Sequence, residues 1–358
     1  MQTINVNLGE RSYPIHVGES LLPQAGELMR RAGVGERVAV VTDAKIAGLY
    51  LKPLEESLHS SGFKVATVLV PEGEEHKNLA TVSTIYDRLV GERFDRRSAL
   101  VALGGGVIGD MTSFTAATFL RGISYVQVPT TLLAQVDASV GGKTGVNRPE
   151  GKNLIGAFYQ PRLVLIDVDT LQSLPQRELT AGLAEVVKYG IIADPALFAL
   201  LEENLHDSTA LSRELLVHVI AVSCRIKASV VEKDERESDY RAVLNFGHTV
   251  GHALEALTRY ETYLHGEAVA IGMVQAAAIS LRERLCDKAA FERIRRLIFR
   301  AGLPAEIPSG VDLRELLKHM EVDKKSTGGK VKFVLCRGIG ATAFHWLSPA
   351  EIVAALQR

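Results

Sequence analysis

Residues 98–114 read SALVALGGGVIGDMTSF. An apolar, β-branched run ends in three glycines, and a helix-compatible stretch follows them: a strand, a tight turn and a helix. Gly104, Gly106 and Gly109 satisfy GxGxxG. Glycines let a ligand approach the backbone, and a helix N-terminus offers N–H groups with no intrahelical partner, which is the physics of a phosphate site. The motif alone is unspecific. It departs from the dinucleotide fingerprint, because it does not follow the first strand and no acidic residue ends the next one, YVQVPTT. If a dinucleotide binds, its ribose contact must come from elsewhere, and Asp43, which ends RVAVVTD, is the candidate.

Around this stretch the first half of the chain alternates two periodicities. INVNL, RVAVVTD, KVATVLVP, ALVALGGG, YVQVPTT and LVLIDVD are short strand-like runs, separated by helix-like segments such as NLATVSTIYDRLVGE. That alternation predicts a mostly parallel sheet with helices on its faces, an α/β Rossmann-like domain over residues 1–175. From about residues 173–178 onward helical periodicity dominates, in PQRELTAGLAEVVKYGII, LSRELLVHVIAVSCRIKASVV and GEAVAIGMVQAAAISLRERL. Residues 176–358 are therefore expected to form a helical domain, with KVKFVLC and ATAFHWL pairing as a short hairpin near its end and SPAEIVAALQ as a capped helix. The short connection between the halves implies a cleft.

At 358 residues the chain exceeds what one core usually supports, so two domains are expected. It holds 41 basic and 42 acidic residues, and no dense Lys/Arg block. Nucleic acid is thereby disfavoured as a partner, and charge-driven binding must be local to a site. The three cysteines, far apart, argue against a disulfide framework and a thiolate zinc site. The N-terminus lacks the basic start and apolar run of a signal peptide. The longest apolar segment, residues 268–281, is short for a bilayer span and carries Gln275. A cytoplasmic, reduced protein is expected.

Two further stretches carry candidate chemistry. DASVGGKTGVNRPEGKNLIGAFYQP places Lys143 after two glycines and Lys152 beside Asn153, where an anion meets little obstruction, although the spacing is not that of a Walker loop. LNFGHTVGHALE puts His248 and His252 four apart, on one helix face. Thr249 after His248 removes the general-base glutamate of a zincin. An open metal site needs three protein ligands. Glu185, inside the apolar GLAEVVKYG, is costly to bury unless Lys188 or a metal pairs it. Either His252 or His265, the latter opening the following helix, would complete a Glu/His/His set, and the spacing does not choose between them.

Taken together, PEGEEHK (71–77), GGGVIGD (104–110), VPTTLLAQVDASVGGKTGVN (128–147), GKNLIGAFYQP, AGLAEVVKYG, LNFGHTVGHALE and LHGEAVAIGM resemble the 3-dehydroquinate synthases, in order and over nearly the whole chain. The resemblance implies an NAD-binding α/β domain, a helical C-terminal domain, and an active site in the cleft between them. It implies a divalent metal, zinc or cobalt, on Glu185, His248 and His265, with His252 facing the substrate instead. NAD would contact Glu72, Gly73, Glu74, Glu75, His76 and Lys77, the turn Gly106, Val107, Ile108, Gly109 and Asp110, then Thr130, Thr131, Lys143, Lys152, and Thr170, Leu171, Gln172 and Ser173. The substrate would meet Arg121, Asp137, Lys143, Lys152, Asn153, Lys188, Lys227, Arg241, Asn245, His252 and one of Lys324 and Lys325. The family's reaction turns 3-deoxy-D-arabino-heptulosonate 7-phosphate into 3-dehydroquinate and phosphate, a carbon–oxygen lyase step in the shikimate pathway. It proceeds by transient oxidation by NAD, phosphate elimination, re-reduction and aldol closure. A homodimer is also expected from the family. The alternatives are a cyclase acting on sedoheptulose 7-phosphate and a metal-dependent polyol dehydrogenase.

Overall fold

The computed structural model describes residues 1–205, 211–323 and 329–356. The elements run β1 (Gln2–Val6), β2 (Tyr13–Gly18), α1 (Ala25–Arg31), β3 (Arg37–Thr42), α2 (Ala44–Ile46), α3 (Lys52–Ser60), β4 (Lys64–Leu69), α4 (Leu79–Gly91), β5 (Ala99–Gly104), α5 (Gly106–Thr118), β6 (Ser124–Pro129), β7 (Lys143–Arg148), β8 (Gly151–Phe158) and β9 (Leu163–Asp167). There follow α6 (Gln176–Ile192), α7 (Pro195–Asn204), α8 (Arg213–Lys233), α9 (His248–Leu257), α10 (His265–Arg282), α11 (Lys288–Arg300), α12 (Leu313–Asp323), the hairpin β10 (Val331–Cys336) and β11 (Thr342–Leu347), and α13 (Pro349–Leu356). They separate into two compact units, Met1–Leu174 with Arg213–Arg236, and Pro175–Ser212 with Glu237–Arg358.

The first unit is built on a seven-stranded sheet of order β1-β2-β9-β6-β5-β3-β4. Only the β1–β2 edge is antiparallel; the other pairs run parallel. Helices cover both faces, so the inner strands are buried throughout and read as unbroken apolar runs; every residue of β5 is buried. From β3 the chain goes one way to β4 and returns to the other side for β5. The carboxyl ends of β3 and β5 thus flank the switch point where doubly wound sheets bind ligands.

Two features differ from the reading of the sequence. Residues 143–158 form an antiparallel ribbon, β7 with β8, which is absent from the strand-like runs read in the sequence. The two paired backbones approach so closely that a Cβ on Gly156 would lie 2.1 Å from the Thr144 carbonyl oxygen, so glycine here permits the close approach. The second difference concerns α8. It was expected within one helical domain spanning 176–358, but it belongs to the first unit. Asn7 donates to Glu232 Oε1 through both its backbone N (2.6 Å) and Nδ2 (2.8 Å), Arg11 pairs with Glu235 at 2.7 Å, and Cys224 Sγ donates to the Gln135 carbonyl at 3.3 Å. Helical periodicity shows that a face is buried but not which core it covers.

The second unit is helical with the expected β10–β11 hairpin, whose Cys336 N–H donates to Ser280 Oγ on α10 at 3.0 Å. Its centre is α10, which passes very close to α6 and α9. A Cβ on Gly266 would lie 1.8 Å from the Ala181 carbonyl oxygen of α6, and one on Gly272 would lie 1.9 Å from the Gly247 carbonyl oxygen just before α9. These backbone contacts set the spacing of the three helices. Among the described residues, no helix is long and apolar enough to cross a membrane.

Candidate active site

The close crossing of α6, α9 and α10 brings Glu185, His248 and His265 together, with one ligand atom from each all within 4.8 Å of one another. Glu185 is fully buried, and neither of its carboxylate oxygens accepts a hydrogen bond among the described residues. Lys188 Nζ makes ion-pair contact with Oε2, while His248 Nε2 (3.6 Å) and His265 Nε2 (3.9 Å) face Oε1. The contact with Lys188 is electrostatic without hydrogen-bond geometry, which accounts for both observations. Lys188 and a metal were weighed as competing partners for this carboxylate. The two oxygens leave room for both.

Each imidazole is also held from behind. His248 Nδ1 lies 3.2 Å from the Phe246 carbonyl oxygen, and His265 Nδ1 lies 3.2 Å from Glu255 Oε2. A ring N–H donating to these acceptors leaves the Nε2 lone pair facing Glu185. Burial first, then the charge of Lys188 and the neighbouring His252 and His265, pushes the His248 pKa well below its usual value, which keeps the ring in its ligating form. Ligand atoms around a tetrahedral zinc lie about 3.3–3.6 Å apart for bonds of ~2.0–2.2 Å. The residues fit a divalent metal. His252 lies with its ring centroid 5.2 Å from that of His248 and 5.9 Å from that of His265.

In the first unit the glycine turn joins β5 to α5, with Gly105 as the extended residue before the helix. A Cβ on Gly109 would lie 3.0 Å from Gln127 Oε1, so that glycine serves close helix–strand packing. Ile108 is buried in the core, which limits any ligand contact of this residue to its backbone. Beside the turn Thr130 donates its N–H to the Gly104 carbonyl (3.0 Å), and its buried Oγ1 has no hydrogen-bond partner among the described residues. Across the switch point, Asp43 is buried, with Oδ1 accepting the Ile46 N–H at 2.9 Å. Lys77, in the loop after β4, pairs with Asp110 of α5 at 2.5 Å. Burial, only partly offset by Lys77, raises the Asp110 pKa. Glu74 Oε1 accepts from Asn147 Nδ2 at 2.7 Å, tying this loop to β7. An open backbone turn with an orphaned hydroxyl beside it fits a dinucleotide. Glu72 pairs with Lys45 (3.6 Å) and His76 with Glu75 (3.8 Å) at the surface, and Thr131 Oγ1 caps the following turn by accepting the Ala134 N–H (3.2 Å). Thr170 and Leu171 are buried, Thr170 Oγ1 accepts from Gln135 Nε2 at 3.0 Å, and Ser173 Oγ lies 2.5 Å from the Tyr50 hydroxyl.

The anion-binding candidates fall in both units. In the first, Lys227 of α8 is buried and donates to the Asp137 carbonyl (2.5 Å) and Oδ1 (2.7 Å). Lys143 and Lys152 lie on the ribbon; Asn153, at φ 55, donates its N–H to Asn147 Oδ1 at 2.9 Å. Arg121 ends the turn after α5, also at positive φ. In the second unit Lys188 and Arg241 are each only 1% exposed, and Asn245 Nδ2 lies 3.4 Å from Glu237 Oε1. Lys324 and Lys325 lie outside the described residues. Sequence reasoning passed over Glu255 and Glu237. Glu255 had a visible signal: it falls three residues after His252 and seven after His248, on the same helix face.

Comparison with known proteins bears on what these residues serve. A family model described as 3-dehydroquinate synthase N-terminal matches residues 67–181, and one described as 3-dehydroquinate synthase C-terminal matches residues 182–326. The chain is 50% identical, over all of both chains, to the 3-dehydroquinate synthase of Desulforamulus reducens. Among solved structures it superposes on a 2-deoxy-scyllo-inosose synthase complexed with carbaglucose-6-phosphate, NAD+ and Co2+ (TM-score 0.90, 27% identity, 99% of each chain). It likewise superposes on the 2-epi-5-epi-valiolone synthase of Streptomyces hygroscopicus with NAD+ and Zn2+ bound (TM-score 0.88, 28% identity, 98% of this chain and 97% of the other). With the two family models together matching residues 67–326 and identity of this order over the full length, the chain belongs to the 3-dehydroquinate synthase family.

Proposed function

We propose that this chain converts 3-deoxy-D-arabino-heptulosonate 7-phosphate into 3-dehydroquinate and phosphate, the reaction of its family, using the residues described above. The observation that carries the reading is the buried Glu185 carboxylate, one oxygen facing two imidazoles and the other Lys188. Glu185, His248 and His265 would hold a divalent zinc or cobalt ion, and the turn at Gly106–Asp110 with Glu72–Lys77, Thr130, Thr131 and Thr170–Ser173 would hold NAD, with Asp43 as the candidate ribose contact. When bound, the ion supplies Lewis acidity that lowers a hydroxyl pKa, and NAD supplies a reversible acceptor for hydride.

The chain's own residues do the rest. The substrate has a carboxylate at one end and a phosphate at the other, and each needs cations held where water does not screen them. Lys188 and Arg241 of the second unit and Lys227 of the first are buried cations of this kind. Arg121, Lys143 and Lys152 add charge, one of Lys324 and Lys325 is assigned with them, and Asn153 and Asn245 orient hydroxyls. His252 moves a proton, and Asp137, fixed by Lys227 Nζ, holds water. We place the reaction in the reducing cytoplasm, in keeping with three free buried thiols, and propose a homodimer, which sedimentation would test.

The test follows phosphate release and absorbance of NADH together, with the heptulosonate phosphate, NAD and zinc or cobalt. Phosphate release without accumulated NADH is expected. Steady NADH accumulation would make the chain a dehydrogenase. Phosphate release from sedoheptulose 7-phosphate alone would make it another cyclase.

A further inference from the structure

Glu255 lies on α9, is only 4% exposed, and reaches back to the metal cluster from outside it. A buried carboxylate is costly unless a donor meets it. Its Oε2 meets His265 Nδ1 at 3.2 Å. His252, Glu255 and His265 together also satisfy the spacing of a metal site, so Glu255 has two possible roles, ligand or support.

The geometry separates them. His265 has two ring nitrogens, and they face opposite ways: Nε2 toward Glu185 at 3.9 Å, Nδ1 toward Glu255 at 3.2 Å. Glu185 is fully buried with no hydrogen-bond donor among the described residues. Only the Nε2 side therefore presents a carboxylate oxygen, Glu185 Oε1, that accepts no hydrogen bond among the described residues and lies on the side away from Lys188. Glu255 already has a donor in the ring N–H.

His265 needs such support more than His248 does. It is the first residue of α10, after a segment in which Arg259 and Tyr260 take positive φ. The backbone there is pinned: Leu264 N–H donates to Glu267 Oε2 (2.9 Å), Arg177 Nε donates to Glu267 Oε1 (2.7 Å), and Arg177 Nη2 donates to the Thr262 carbonyl (3.0 Å). These bonds fix where the helix begins; they hold backbone and Glu267, and none of them is made by the imidazole. A Glu255 acceptor fixes the tautomer and the ring plane, and its charge makes Nε2 a stronger donor than a neutral carbonyl would. Formally, Glu185 and Lys188 cancel, so Glu255 supplies the negative charge that partly offsets a divalent cation.

We propose that Glu255 is a positioning residue for His265, fixing its Nε2 on the metal without itself binding it. The proposal rests on the Glu185/His248/His265 metal reading, and its test separates the two. Co2+ alone is titrated into metal-free wild type, Glu255→Gln and Glu255→Ala, with affinity measured against a chromophoric chelator and the d–d absorption recorded at saturation. Glu255→Gln keeps an oxygen acceptor for Nδ1–H but loses the charge. Its Co2+ affinity should fall about tenfold and that of Glu255→Ala up to ~100-fold. The saturated Gln spectrum should keep the wild-type bands, at one Co2+ per chain. Unchanged affinity in Glu255→Gln and Glu255→Ala, altered bands at saturation in Glu255→Gln, or two Co2+ per wild-type chain would each overturn the proposal. If Glu185→Gln binds Co2+ as wild type does, the metal reading itself fails. Should Glu255→Ala not fold, Glu255→Gln decides the matter alone.

Discussion

Gly266→Ala tests whether backbone contact between helices builds the metal site. The new Cβ would lie 1.8 Å from the Ala181 carbonyl oxygen, 2.6 Å from its carbon and 3.0 Å from its Cα, whereas ordinary contact begins at 3.4 Å. Backbone cannot swing aside as a side chain can, so α6 and α10 must part locally by about 1.5 Å. Overpacking of this kind costs about 1–3 kcal/mol or more, against which the helix preference of alanine returns less than about 1 kcal/mol. The net expectation is a loss of roughly 1–2 kcal/mol. The metal responds more sharply. His265 is the residue just before Gly266, and Glu185 lies one turn along α6 from Ala181. Ligand distances are tolerated within about 0.2 Å, so a shift of this size should weaken Co2+ binding at least tenfold. The assays are urea unfolding of the metal-free protein and Co2+ titration. Gly310→Ala, where an added Cβ meets nothing within 4 Å, is the control. Wild-type stability and Co2+ affinity in Gly266→Ala would refute the idea that this crossing sets the site.

Other outcomes follow from the same contacts. Chelation should lower the unfolding temperature and zinc at a hundred times its Kd restore it, since such binding adds about 2.7 kcal/mol, roughly 5–10 °C for a unit of this size; an unmoved midpoint would contradict a metal held only by the folded chain. The lowered His248 pKa gives a signed pH dependence. Below about pH 6.5 the unfolded chain takes up a proton that the folded ring refuses, so this contribution is fully present above that pH. It is lost as pH falls toward the folded value, by up to about 1.4 kcal/mol per unit. Metal-free wild type should lose stability from pH 7 to 5.5 more steeply than His248→Asn, and parallel slopes would exclude this origin. Asp137→Ala removes the carboxylate from buried Lys227 and should cost about 1–3 kcal/mol in urea unfolding, while Lys227→Met, which removes the charge, should cost less. The reverse order would mean the ammonium is held by something other than Asp137.

How far the sequence carries depends on what sets each feature. The strands of the main sheet were legible because burial on both faces leaves continuous β-branched runs: RVAVVTD became β3, ALVALGGG β5 and LVLIDVD β9. The helix NLATVSTIYDRLVGE was legible because Asn78 caps it, its Oδ1 accepting the Thr81 N–H at 3.0 Å. The β7–β8 ribbon was not, because Gly145 and Gly156, opposite each other where the backbones approach closely, erase the alternation that marks a strand. The destination of α8 was hidden because its anchors, Glu232 and Glu235, pair with Asn7 and Arg11 more than two hundred residues away. Spacing alone named three histidines and one glutamate but could not choose between His252 and His265. That choice depends on how two helices cross, which glycines at positions 247, 266 and 272 decide.

The Glu185–Lys188 contact shows why those glycines matter to the chemistry. A buried ion pair is weak evidence of a stability device, because desolvating two charges can cost more than their attraction returns. Well-packed apolar residues at 185 and 188 would suit α6 at least as well, since its neighbours there are buried Val, Ala and Tyr. Holding this pair in place is compatible with folding because α10 approaches closely enough to close around it. The approach also places two imidazoles on the one carboxylate oxygen that Lys188 does not take. The arrangement is poorly satisfied as a core and well suited to a divalent cation, with one carboxylate oxygen and two ring nitrogens facing one another. Glu255 behind His265 then makes the second acidic group of the cluster a support for a ligand. The proposed site accounts together for the unusual residues of this core: a buried Glu, two buried or half-buried His, and glycines where backbones meet closely.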